Sequence, residues 1–379
     1  MRRMFGTRGL GHALLLAVAV STAAGAAERG QPEIVGGSVA EDGAWPWQVA
    51  LVKAKTKDNY DAFYCGGSLI NQQWVLTAAH CVVDDHGRVE TAGNIEVLVG
   101  TNDLKSGGQR VAVARVIANR DYDPKTVVND LALLELDEPV AIETIDVVSS
   151  EEQEDRVAPP GTDAVVTGWG RTSVKPTVFP RRLMQAEITT ATLATCRKAH
   201  PGETVNGTMI CAGVPSGRPD SCNGDSGGPL VVEARAGDYV LLGAVSWGNA
   251  TCDSWGVYTR LPIYGDWIAD KVDGDGARPS VPPALLRPVA GTVGGAPTFV
   301  WNAVARATEY RLVVRMASGR AVEKTLRAAE TGCGRGLGTC RYEFTAEIPD
   351  GRVAWQVRAV NKAGPGPFSD PEDFRHADE

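Results

Sequence analysis

The chain has 379 residues, 43% of them hydrophobic and 22% charged, the balance of a soluble globular protein long enough for two or three cores. Its 46 acidic and 38 basic residues leave a formal charge of -8, which argues against a nucleic-acid partner, because phosphate binding needs a basic face. Eight cysteines, none in a C-x-x-C pair, and only five histidines weaken any zinc or thioredoxin-like reading.

Arg2, Arg3 and Arg8 form a basic start, an apolar run follows from Ala13 to Val20, and Ala24-Gly25-Ala26 matches a small-residue cleavage site. Residues 1–26 are therefore expected to be a signal peptide. The run is too short to span a bilayer, and no other membrane candidate follows. A secreted destination, extracellular or periplasmic, is expected. An even cysteine count in an exported chain reads as disulfides.

Short apolar or alternating runs come next: Gln48–Val52, Trp74–Thr77, Ile95–Val99, Val111–Ile117, Leu131–Leu136, Ala164–Thr167 and Tyr239–Val245. Gly, Pro, Asn and Asp separate them, which predicts an all-β protein rather than alternating βα units. One helix is predicted over Tyr264–Val272, with Ile263, Trp267 and Ile268 on one face. Residues 273–283 are rich in Gly and Pro and read as an interdomain linker. Residues 284–374 form a second β unit, in which Phe299, Trp301 and Val304, then Tyr310, Leu312 and Val314, then Val353, Trp355, Val357 and Ala359 mark strands.

Three stretches carry chemistry: Thr77-Ala-Ala-His80-Cys81, Asp130-Leu-Ala-Leu133 and Gly224-Asp-Ser226-Gly-Gly-Pro229. A serine hydroxyl needs a base to take its proton and donors for the oxyanion that its attack creates. Glycines around Ser226 allow a sharp turn that aims N–H groups at one point. The same stretch fits the G-x-S-x-G elbow of α/β-hydrolases, but those place their histidine after the serine. Here the one histidine after Ser226 is His376, in the charged tail. The order His80, Asp130, Ser226 is that of the chymotrypsin template. Asp121 and Asp123 are rival acids, but their Tyr-Asp-Pro setting reads as a solvated turn.

With Ile34-Val-Gly-Gly37, Ser246-Trp-Gly248 and Gly256-Val-Tyr-Thr259 added, the region from Ile34 to about Val272 resembles the trypsin-like serine proteases. The resemblance implies two six-stranded antiparallel β-barrels with a short C-terminal helix over 34–272. Ser226 would attack, His80 would act as base, Asp130 would orient the imidazole, and the N–H groups of Gly224 and Ser226 would form the oxyanion hole. No metal or cofactor is needed. Asp220 would form the base of a pocket for Arg or Lys, with Ser246, Gly248 and Gly256 on its walls. The disulfides implied are Cys65–Cys81, Cys196–Cys211 and Cys222–Cys252. Gly100–Gly108 lacks the acidic pattern of the family's calcium loop.

Ile34 resembles the N-terminus that such enzymes expose on activation, where its α-ammonium would pair with Asp225. A short propeptide, 27–33, follows, ending at Glu33; a separate activating protease is then expected. Trp355 to Ser369 resembles a late strand and turn of a fibronectin type III domain, which implies a β-sandwich that serves as a spacer or binds a surface or protein ligand. Val353 stands where that family often carries a tyrosine. Cys333 and Cys340 flank a Gly-rich hairpin tip and are expected to pair. Protein or peptide substrates with Arg or Lys are the expected partners. The competing class is a secreted binding protein on a protease scaffold, and the intact His80, Asp130 and Ser226 argue against it.

Overall fold

The short apolar runs become antiparallel strands. The computed structural model describes residues 37–171, 179–216, 221–252, 254–274 and 277–377. The proposed signal peptide and propeptide, Ile34 and Asp220 lie outside these.

Strands β1 (Gln48–Lys53), β2 (Phe63–Asn71), β3 (Trp74–Thr77), β4 (Ile95–Val99), β5 (Gln109–Ala118) and β6 (Ala132–Leu136) close a barrel in the order β1-β2-β3-β6-β5-β4. A second barrel repeats the topology. Its strands are β7 (Asp163–Gly168), β8 (Met184–Ala191), β9 (Met209–Gly213), β10 (Pro229–Arg235), β11 (Asp238–Trp247) and β12 (Gly256–Arg260), in the order β7-β8-β9-β12-β11-β10, with β10 back on β7. Closure removes every exposed sheet edge. On β8, buried positions alternate with more exposed ones, so one face fills the barrel and the other meets solvent. Val49, Ala50, Leu51 and Val52 are fully buried in succession, and they share a core with Val231 and Leu241 of the second barrel. Packed on both faces, β1 reads as a continuous apolar run.

Helices α1 (Glu151–Val157) and α2 (Leu193–Ala199) are N-capped by Ser150 and Thr192, whose hydroxyls accept from Gln153 N and Thr195 N. Helix α3 (Gly265–Asp273) is the helix predicted at the end of this region, and it buries Ile268 and Val272. Ile263 differs from expectation: it is 39% exposed, because it sits in a 3-10 turn before the helix, where the 3.6-residue phase does not hold.

The C-terminal region is two sheets packed over one core of Phe299, Trp301, Tyr310, Phe344 and Trp355. One sheet joins β13 (Leu285–Arg287), β14 (Thr298–Asn302) and β17 (Thr339–Glu343). The other runs β16 (Ala321–Arg327), β15 (Glu309–Met316), β18 (Gly351–Asn361), β20 (Glu372–His376), with β19 (Gly364–Phe368) also on β18. The Cys333–Cys340 disulfide forms, but its loop is not a hairpin tip. It crosses from β16 in one sheet to β17 in the other, because β16 and β17 do not pair.

That crossover docks on the barrels. Asn71, 1% exposed, donates from Nδ2 to the carbonyls of Ala303 and Gly336 at 3.0 and 2.5 Å. Gly338 N donates to Ile70 O at 2.7 Å, and Thr144 Oγ1 donates to Gly338 O at 2.6 Å. Gln72 bonds both Pro282 O and Ala284 N, and Asn302 Nδ2 donates to Ile142 O. Leu337, 5% exposed, joins the barrel core, a burial worth about 1.5–3 kcal/mol for a leucine. The C-terminal sheets are thus joined side by side to the barrels. The docked Asn71-Gln72-Gln73 turn lies at the end of β3 opposite to the end that leads to His80.

Candidate active site

His80 follows β3 in a single 3-10 turn, and Asp130 precedes β6, which pairs with β3. The barrel therefore brings together residues 50 apart in sequence. Asp130 is 1% exposed, and its carboxylate is satisfied from three directions. Oδ1 accepts from His80 N at 2.8 Å, and Oδ2 accepts from His80 Nδ1 at 2.8 Å and from Ser246 Oγ at 2.5 Å. Because a carboxylate only accepts, the imidazole proton sits on Nδ1 and Nε2 is left with its lone pair. Thr259 Oγ1 holds the Asp130 carbonyl at 2.6 Å. Burial pushes the His80 pKa down; the charge of Asp130 and its hydrogen bond push it up and outweigh burial, so it lies above the ordinary value.

Ser226 lies in the turn before β10. Gly224 and Gly227 adopt φ of 102° and 77°, which a side chain resists. At Gly227 a Cβ would also lie 2.1 Å from Thr77 Oγ1 and 2.6 Å from Gly66 O. The turn is pinned to the first barrel by Gly66 N donating to Ser226 O at 2.8 Å. Both His80 and Ser226 line one cavity of about 600 Å3, together with Gly224, Ser246, Trp247 and Gly248. Phe63, Tyr64 and Phe179 add an aromatic side to it. Gly256, at the start of β12, is buried but is not among the cavity's described lining residues.

Asp225 is fully buried beside the serine and accepts from Gly170 N and Cys222 N, each at 2.8 Å. Burial pushes its carboxyl up to about 6. Any Cβ at Gly168 or Gly170 would fall 2.1 or 2.3 Å from an Asp225 oxygen. Those two glycines and Thr259's grip on Asp130 escaped the reading of the sequence, whose motifs include neither glycine and give Thr259 no role.

Cys65–Cys81, Cys196–Cys211 and Cys222–Cys252 are bonded as the resemblance implies. Cys65, His80 and Cys81 bring three potential metal ligands together, but both sulfurs are spent in the disulfide and offer no thiolate. Asp103, in the loop compared with the family's calcium loop, instead pairs with Arg181. Asp123 accepts from Lys125 N and Thr126 Oγ1 in its own turn.

Two closed barrels, a buried aspartate hydrogen-bonded to a histidine, and a glycine-flanked serine on one cavity define the class of trypsin-like serine endopeptidases. The chain belongs to the trypsin family, whose model matches residues 34–268. It is similar to human kallikrein-7, 34% identical over 263 residues that cover 68% of this chain and 94% of the relative. It is also similar to human kallikrein-14, 37% identical over 250 residues, 63% of this chain and 84% of the relative.

Proposed function

We propose that this serine endopeptidase uses Ser226 as nucleophile, His80 as general base and Asp130 as the orienting acid, and that it cleaves after Arg or Lys. The observation that carries the triad is the Asp130–His80 hydrogen bond of 2.8 Å, which leaves Nε2 unprotonated beside the cavity that holds Ser226. The Ser226 proton passes to Nε2, the acyl-enzyme forms, and the leaving amine takes the proton from the imidazolium. Backbone N–H groups of Gly224 and Ser226 hold the oxyanion.

Asp220, six residues before Ser226, supplies a carboxylate for a cationic side chain, and Gly248 leaves the wall open. Ser246 lines the same cavity, and Gly256 is assigned to the wall by the family resemblance alone. Asp220→Ser is expected to abolish cleavage after Arg and Lys while Ser226 still reacts with a small fluorophosphonate. Continued preference for Arg over Phe substrates would show that another group reads the cation.

The enzyme is exported behind residues 1–26 and made as a zymogen with 27–33 as its propeptide. Asp225 supports this, since its partners among the described residues are two backbone amides and a buried carboxylate gains from a cation. The α-ammonium of Ile34 is that cation. Glu33 precedes it, so an Arg-specific enzyme cuts its own activation site poorly. Glu33→Arg is expected to self-activate, while purified precursor stays inactive until cut to Ile-Val-Gly-Gly. Equal rates of self-activation in both would overturn the activation reading. The C-terminal unit, 284–374, is read as a fibronectin type III-like β-sandwich, supported by its two sheets and its Trp301–Trp355 core.

A further inference from the structure

Strands β15 and β18 set a row of arginines on the outer face of the C-terminal sheet. Their inner-facing residues, Tyr310, Leu312 and Val314 with Val353, Trp355 and Val357, are buried; of the alternate residues Arg311, Arg315, Arg352 and Arg358 keep exposure, while Val313 between Arg311 and Arg315 is covered. Cross-strand register places Arg311 opposite Arg358, Arg315 opposite Ala354, and Arg352 opposite Arg375 of β20. Arg352 is paired with Asp373. Arg311, Arg315, Arg358 and Arg375 have no carboxylate within ion-pair distance among the described residues.

Side chains directly opposite on a sheet stand about 5 Å apart, and like charges there are destabilising. Arg311 and Arg358 are such a pair. The Arg358 guanidinium lies 4.5 Å over the Phe368 ring, and its Nε is buried without a partner. A fixed guanidinium, half-desolvated and next to a second one, lacks an anion. The chain as a whole carries -8, so this face opposes the charge of the rest.

We propose that this arginine row docks a linear polyanionic polysaccharide, with carboxylate or sulfate groups received by Arg311 and Arg358 at one end and by Arg315 and Arg375 at the other. Arginine forks suit such oxyanions. The row runs along the strands, as a linear polymer would. A lipid bilayer fits less well, since among the described residues the exposed large apolar side chains are Val39, Val89, Ile263 and Val289, none of them on this face. Single-stranded nucleic acid would call for a run of open aromatic platforms, whereas the ring beside this row, Phe368, is already covered by the Arg358 guanidinium. The inference does not depend on the peptidase reading.

The test is retention of the full chain on immobilised heparin and polygalacturonate at low salt. The expected result is retention in spite of the acidic net charge. Arg311→Gln with Arg358→Gln should weaken binding at least tenfold and lower the slope of log K against log salt by about two. The control Arg156→Gln should leave both unchanged, and peptide hydrolysis should be the same in all three proteins. Arg315→Gln with Arg375→Gln serves as a second pair should the first fail to fold. No retention, or equal loss in the control, overturns the proposal. So does tighter binding to phosphatidylglycerol vesicles or to DNA than to either polysaccharide.

Discussion

Replacing Ser226 by alanine is expected to lower kcat by about 10^4–10^6-fold, to a residue of activity left by the oxyanion donors and substrate binding. His80→Ala should fall into the same range, and the double variant should be little worse than either, because base and nucleophile act in one step. Additive losses measured on a peptide ester would rule out the shared proton transfer. The pH profile tests the same pair. In the proposed mechanism hydrolysis needs neutral His80, and Asp130 holds the His80 pKa above its ordinary value of about 6.5. kcat/KM should therefore rise with pH and reach half its plateau above about 6.5. The sign for stability is the reverse. A raised folded pKa gives a contribution that is complete below the unfolded pKa and fades as pH rises through the folded one. A rate that stays flat from about pH 5 to 8 would remove His80 as base.

Gly338→Val is expected to destabilise the whole chain by about 3 kcal/mol or more. Gly338 has φ of 75°, and a Cβ there would lie 1.5 Å from Asp146 Oδ1. Asp146 cannot retreat freely, because it is bonded to Thr339 N and its strand neighbour Val147 is paired with Leu241 in the second barrel. Displacing Gly338 also breaks its bonds to Ile70 O, from Ala303 N and from Thr144 Oγ1. Each buried polar group left unpaired costs about 1–3 kcal/mol. Urea unfolding followed by tryptophan fluorescence should show an earlier midpoint, or two transitions where the wild type has one. The folded fraction should keep normal reactivity at Ser226, since the docked turn is at the far end of β3. An unchanged midpoint would mean that the interface contributes nothing to stability.

Much of this protein could be read from the chain itself. Strands such as Trp74–Thr77 and Ile95–Val99 appeared in the structure with the bounds the apolar runs predicted, because a short apolar run bounded by turn residues is a local property. The order His80, Asp130, Ser226 separated the chymotrypsin arrangement from an α/β-hydrolase without coordinates, since chain order is part of sequence. Tertiary structure decided the rest. Thr259 reaches the Asp130 carbonyl across 129 residues, and Gly168 and Gly170 make room for Asp225, because barrel closure sets which distant strands meet. The 273–283 segment read as a linker, and nothing in its composition announced that Asn71, Thr144 and Gly338 bond the two units together. The facing pair Arg311 and Arg358 likewise exists only through strand register, which a one-residue slip would undo. Periodicity tells a residue which face it takes; only the folded chain chooses its neighbour.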